Sequence, residues 1–341
     1  MQEDPALKNQ KVPEEPVFDG PVLKVEDLKT HFFTRSGVVK AVDGISFEVG
    51  RGETLGIVGE SGSGKSMTAW SILGLVPKPA GRIVGGKIMY LGEDLLEKDE
   101  NEMRKIRGKG ICMVMQDPLT SLNPVFTVGN QILESLRMDF NEPKTSLIKR
   151  ATQLLANVRI PAPETRLSAY PHQMSGGMRQ RVVGAIAMSR SPNVLIADEP
   201  TTSLDATIQL QYLRLLKEIQ ADTGAAILFI THDFGVVARM CDRVAVMYAG
   251  KIVEQADVLE LFDNPQHPYT QALLKSVPDL DEDLDFLPSI EGQPPSLDNL
   301  PEGCAFAPRC PYAFDRCEEY PEQFSTGQDH VASCWRLDGA N

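Results

Sequence analysis

Apolar and polar positions alternate in short runs over the first part of the chain: VLKVEDLKTHFF (22–33), KAVDGISFEV (40–49) and TLGIVG (54–59). This period of two, broken by glycine-containing turns, predicts strands. MTAWSILGL (67–75) changes to three- and four-residue spacing and predicts a helix, so strand, glycine loop and helix follow in order. Between about 117 and 169 the chain turns helical and more polar, with VGNQILESLRM (128–138) and TSLIKRATQLLANV (145–158) as its periodic segments. NVLIAD (193–198) and AAILFITH (225–232) are branched apolar runs of the kind found in buried parallel strands. A helix over about 207–220 lies between them, which makes a βαβ unit and an α/β fold class. VAVMYAG and KIVEQA predict a closing hairpin around Gly250.

The pattern changes after about Leu261. Ten of the 24 prolines lie beyond that point, together with the acidic run DLDEDLD, so a separate loop-rich module is expected over 263–341, helical only in TQALLKSV. Residues 1–20, with three prolines and few aromatics, are expected to be a disordered leader. The division is therefore 1–20, 21–262 and 263–341.

Composition narrows the class of function. With 42% hydrophobic residues the chain can bury a large core, and its net charge of −13 lacks the clustered Lys and Arg that phosphate-backbone or anionic-lipid binding requires. Nucleic acid is therefore not an expected partner. The polar, acidic N-terminus has no apolar segment of a secretion signal, and no run approaches the roughly 18–20 apolar residues that span a bilayer. A cytosolic location is expected, with any membrane role mediated by a partner protein.

The chemistry concentrates in a few segments. Gly59-Glu60-Ser61-Gly62-Ser63-Gly64-Lys65-Ser66 satisfies G-x-x-x-x-G-K-[ST] between a strand and a helix. Its glycines let backbone N–H groups turn inward around a phosphate chain, and the helix N-terminus adds partial positive charge. Lys65 can reach the β- and γ-phosphates, the Ser66 hydroxyl can ligate Mg²⁺, and Met67 completes the predicted ATP-binding set. Asp198 and Glu199 end a later strand, where Asp198 can hold Mg²⁺ and Glu199 can polarise the attacking water.

MSGGMRQR (174–181) resembles the signature sequence of ABC ATPases. Ser175, Gly176, Gly177 and Met178 would form a second anion cradle at a helix start, and the resemblance implies that it closes the site of a facing subunit. Met178 stands where the family usually has Gln, leaving the serine and backbone donors intact. Gln116 matches the Q-loop, which contacts Mg²⁺ and water and links to the membrane subunit. Ser203-Leu204-Asp205 matches the D-loop at the dimer interface, and His232 matches the switch histidine at the γ-phosphate. Phe32 resembles the aromatic that stacks on adenine, with Phe33 as the adjacent alternative. The resemblance covers about 22–262 and implies a P-loop ABC ATPase domain: a RecA-like mixed sheet, an antiparallel β subdomain and a helical subdomain over about 117–175.

HPYTQALLKSVP and CAFAPRCP resemble the tail of dipeptide/oligopeptide importer ATPases, a group that also serves nickel and some oligosaccharide importers. That likeness implies transmembrane permease subunits, a second ATPase subunit (a paralogue or another copy), indirect contact with an extracellular solute-binding protein, and a peripheral place on the cytoplasmic face of the membrane. A non-transport ABC ATPase of DNA repair or translation is the alternative, but those carry paired cassettes or coiled-coil insertions. A non-hydrolysing regulatory protein is a third, against which Glu199 and His232 argue.

Six cysteines are present. Cys112 and Cys241 lie in apolar stretches as small buried hydrophobes. Cys304, Cys310, Cys317 and Cys334 are spaced C-x5-C-x6-C-x16-C, which is neither a tight zinc pairing nor a ferredoxin pattern. A cytosolic cluster of this kind points to metal before disulfides. Some peptide-importer relatives are thought to hold a [4Fe-4S] cluster on such cysteines; zinc and no metal remain open. The expected role is a staple for a core-poor module, separate from the ATP site.

Overall fold

The computed structural model describes residues 18–116, 121–202, 204–277 and 289–339. The predicted leader therefore lies almost wholly outside the described residues, as do the acidic run at 279–285 and Ser203. Strands β1 (Leu23–Phe33) and β2 (Val38–Val49) precede β3 (Thr54–Val58), and after helix α1 (Lys65–Ile72) come β4 (Gly81–Tyr90) and β5 (Glu93–Asp94). Four of these form an antiparallel sheet in the order β2-β1-β4-β5. Leu23, Val25 and Leu28 of β1 are buried against Val42, Ile45 and Phe47 of β2 in one apolar cluster.

The second sheet adds β6 (Ile111–Val114), β7 (Val194–Asp198), β8 (Ala226–Thr231), β9 (Arg243–Tyr248), β10 (Lys251–Asp257), β11 (Phe324–Gly327) and β12 (His330–Ala332). Its order is β11-β12-β10-β9-β3-β8-β7-β6. β3 runs parallel to β8 and β9, and β7 runs parallel to β6 and β8. Every residue of β3, β7 and β8 is buried, which is why these runs are continuously apolar rather than alternating. The β9–β10 hairpin turns at Ala249 and Gly250.

Helix α2 (Glu100–Ile106) follows β5, and α3 (Val128–Arg137) and α4 (Lys144–Asn157) form a helical region with the short α5 (Pro163–Arg166). Thr127 caps α3 by accepting from the Asn130 N–H. Ile132, Leu133 and Leu136 of α3 and Leu147, Ala151 and Leu155 of α4 fall at helical spacing, and all share one core with Val182 and Val183 of α6 (Gly176–Met188). α7 (Ala206–Thr223) makes the crossover between β7 and β8, and α8 (Phe234–Met240), α9 (Val258–Asp263) and α10 (Pro268–Lys275) follow. Among the described residues no helix is long and apolar enough to cross a membrane.

The main sheet runs across the compositional break near 262. β12 pairs with β10 through Glu254↔Ala332 and Gln255↔Val331, and β11 pairs with β12. Beneath this junction the His330 imidazole lies 2.8 Å from a Glu254 carboxylate oxygen, with both side chains fully buried. Glu254 also accepts from the N–H groups of Gln266 and His267. His330→Ala removes one partner of a buried polar set, which typically costs about 3 kcal/mol. We expect faster amide exchange in 263–277 and 289–339 with protection of β3 and β8 unchanged; equal loss in both would show that the pair serves the whole domain.

Candidate nucleotide site

The parallel register brings three strand ends together. Val58 pairs with Thr231, and Asp198 pairs with Ile230, so the loop after β3, the Asp198-Glu199 pair and His232 all emerge at one carboxyl edge. Open α/β sheets bind ligands at such edges.

The loop after β3 is built on glycine. Gly59 has φ +153 and a Cβ there would stand 2.1 Å from the Met247 carbonyl oxygen; Gly64 has φ +108 and its Cβ would stand 2.2 Å from that of Ala41. Only glycine satisfies both the conformation and the closeness. The Lys65 ammonium, almost completely buried, donates to the carbonyls of Gly59 at 2.8 Å and Glu60 at 2.9 Å. Burial lowers its pKa. Ser61 and Gly62 are exposed, whereas the Ser63 hydroxyl is buried with no partner among the described residues. Met67 packs on the core beneath α1.

Ser66 Oγ donates to Asp198 Oδ1 at 3.1 Å. Burial and the neighbouring Glu199 charge raise the Asp198 pKa against this hydrogen bond. A hydroxyl and a desolvated carboxylate side by side are a donor set for a hard cation, whose charge would relieve the cost of burying Asp198.

Glu199 is the hub of the edge. Its φ of +45 is strained for a non-glycine residue, and its N–H is fixed to the Ile230 carbonyl at 2.8 Å. One carboxylate oxygen accepts from Gln116 Nε2 at 2.8 Å and from Thr202 Oγ1 at 3.0 Å; the other lies 3.2 Å from His232 Nδ1. Gln116, Glu199 and His232 are thus brought together, with the Gln116 amide directed to Glu199 rather than to Ser66 or Asp198. Thr202 was not anticipated from the sequence, since nothing distinguishes it from the threonine before it.

The signature and D-loop residues each begin a helix. Ser175 caps α6 by accepting from the Met178 N–H, with Ser175 and Gly176 exposed. A Cβ on Gly177 would come within 2.7 Å of Ile208, while one on Gly176 would meet open space. Asp205 caps α7 through the N–H groups of Thr207 and Ile208. Among the described residues no hydrogen bond links Ser175, Gly176, Gly177 or Met178 to the glycine loop. Phe32 is half-buried beside Gly81, and Phe33 is more exposed with the Arg82 guanidinium 5.4 Å from its ring centre.

Cys304, Cys310, Cys317 and Cys334 line one small cavity with His267, Phe306 and Trp335. Burial pushes the Cys304 thiol up to about 11 and raises Cys310 and Cys334 as well. Yet among the described residues no three His, Cys, Asp or Glu side chains are disposed to hold a metal ion. The side-chain placement therefore does not support the expected metal centre.

The chain is similar to known proteins. Residues 42–202 match the ABC transporter family model, and residues 253–317 match the C-terminal region of oligopeptide/dipeptide transporters. A probable peptide ABC transporter ATP-binding protein of Sinorhizobium fredii is 52% identical over 92% of this chain and 95% of its own. The chain belongs to the ABC transporter ATP-binding proteins. The dipeptide transport ATP-binding protein DppD of Bacillus subtilis is 49% identical, over 93% of this chain and 95% of that one. The dimeric ATP-binding cassette MJ0796 in a post-hydrolysis state with ADP and Pi superposes with a TM-score of 0.62 at 25% identity, covering 69% of this chain and 98% of that one. The architecture is that of an ABC ATPase cassette, with a mixed sheet, an antiparallel β subdomain and a helical region. These relatives are transport ATP-binding proteins, so the repair or translation alternative has no support.

Glu199→Gln keeps the bulk of the side chain and removes its charge. ATP binding should persist while turnover falls by about 10²–10⁴, the usual cost of losing a group that orients or deprotonates the nucleophile. Steady-state phosphate release checks this, and turnover within twofold of wild type would remove Glu199 from the reaction.

Proposed function

We propose that this chain binds Mg-ATP in the 59–66 loop, hydrolyses it, and thereby energises peptide import through membrane-embedded permease subunits on whose cytoplasmic side it sits. The observation that carries the hydrolytic reading is the convergence of Gln116, Thr202 and His232 on Glu199. Lys65 and the backbone N–H groups of the loop hold the β- and γ-phosphates, with Ser61, Gly62, Ser63 and Gly64 forming the cradle. Glu199 orients a water for attack on the γ-phosphorus, Gln116 and Thr202 hold the carboxylate in place, and His232 contacts the γ-phosphate. Ser66 and Asp198 hold Mg²⁺, which when bound neutralises charge on the phosphates. Phe32 or Phe33 stacks on adenine.

Ser175, with the exposed start of α6, acts on the site of a second ATPase subunit, and Asp205 lies at that interface. The exposure of Ser175 and Gly176 supports a head-to-tail pair, and the dimeric state of the matched cassette agrees with it. Peptide as cargo rests on the C-terminal match and on relatives named for peptide transport. We further propose the division into a leader (1–20), a cassette (21–262, its helical part about 117–175) and a C-terminal module (263–341).

For the cysteines the proposal is a [4Fe-4S] cluster rather than zinc. The C-x5-C-x6-C-x16-C spacing is not that of the tight cysteine pairs of structural zinc sites. What supports a cluster is only that all four cysteines line one small cavity. When bound, such a group supplies a structural staple. Anaerobically purified protein should be brown and contain about four irons per chain. One zinc and no iron would refute the cluster, and four freely alkylated thiols without metal would refute any centre.

The function itself is tested by reconstituting the chain with its permease subunits in vesicles. ATP-dependent peptide uptake is expected, abolished by Glu199→Gln; hydrolysis with no peptide-stimulated uptake would overturn the transport reading.

A further inference from the structure

Glu60, the second residue of the glycine loop, has every polar group engaged. Its carbonyl accepts from Lys65 Nζ at 2.9 Å and from the Ser63 N–H at 3.2 Å. Its own N–H donates to the Tyr269 hydroxyl at 2.9 Å. Its carboxylate accepts from both terminal nitrogens of Arg309, at 2.7 and 3.0 Å. The first two contacts belong to the loop itself. The last two reach it from residues more than 200 positions away, on the far side of the compositional break.

Those two residues are themselves rigidly held. The Arg309 side chain is 4% exposed, and its remaining donors go to the Tyr248 hydroxyl and to the carbonyls of Glu291 and Ile290. Tyr248, Tyr269 and Phe306 pack as a triangle with ring centres 4.5 to 5.4 Å apart. Tyr269 lies in the first turn of α10, whose N-cap is the buried His267; its Nδ1 accepts from the Tyr269 N–H at 3.0 Å. His267 and Phe306 also wall the cysteine cavity, and Arg309 immediately precedes Cys310.

The charge at Glu60 sharpens the case. A carboxylate one residue into a polyphosphate cradle repels its ligand unless it is neutralised, and a bidentate guanidinium does that while fixing direction. We propose that Arg309 and Tyr269 are positioning residues for ATP, setting nucleotide affinity by holding Glu60 and with it the conformation and charge of the phosphate loop. The inference rests on reading 59–66 as the phosphate cradle and is independent of any metal at the cysteines. Through these contacts the region after 262 meets the glycine loop directly.

The test is calorimetric titration of magnesium and ATP into the full chain, with Glu199→Gln as background to stop turnover. Arg309→Met should raise the dissociation constant at least about tenfold, because it leaves a half-buried carboxylate unpaired beside the phosphates. Tyr269→Phe should raise it about threefold by leaving one N–H without its partner. Adding Glu60→Gln to Arg309→Met should recover most of the loss, since the orphaned charge is gone; a role confined to folding would give no such rescue. In the assembled transporter with native Glu199, Arg309→Met should raise KM for ATP and leave kcat at saturating ATP within twofold. Folded Arg309→Met that binds ATP within twofold of its background overturns the proposal, as does a fall in kcat with KM unmoved. If Arg309→Met fails to fold, Tyr269→Phe decides, and unchanged affinity there overturns it. Lys65→Ala is the control: undiminished binding in that variant would instead refute the cradle.

Discussion

The parallel pairing of β3 between β8 and β9, with β7 on the other side of β8, is the constraint on which the remaining structure depends. Because Val58 lies opposite Thr231 and Asp198 opposite Ile230, chain segments 173 residues apart in sequence finish at one edge. Parallel strands cannot be joined by tight turns, so each connection leaves room for a loop or helix at that edge. The glycine loop, the adjacent carboxylates and His232 occupy those positions. Their chemistry is a consequence of strand register, and the register is enforced by burial of both faces of β3, β7 and β8.

Much of this edge was legible in the sequence because each part is a local signal. A strand, a glycine loop and a helix are contiguous, and Asp198-Glu199 and His232 end branched apolar runs of the kind expected for buried parallel strands. The signature at Ser175 was equally local, since a helix cap needs only its own first turn. Contacts between distant elements were not legible. Thr202 on Glu199 depends on the loop geometry after β7, and nothing in the C-terminal composition announced that Arg309 and Tyr269 would meet Glu60. Glu60 stands at a variable position of its motif, where any residue satisfies the pattern.

The C-terminal region shows how composition can mislead about autonomy. Prolines and a scarcity of apolar residues set it apart in sequence, yet its β12 hydrogen-bonds to β10, its His330 meets Glu254 in the core, and its Phe306 packs against Tyr248 of β9. A segment with too little core to fold tightly alone can be ordered by borrowing another's, and here the cassette supplies the sheet edge and the aromatic surface.

The short outer strands carry a further consequence. β10 would otherwise present a free row of N–H and carbonyl groups, flanked by the apolar Ile252 and Val253, which is a template for pairing with another chain. β12 pairs with part of that row, at Glu254 and Gln255, and the four-residue β11 pairs with β12 in turn. Pairing by residues 324–332 thus removes part of β10 from the backbone available to another chain.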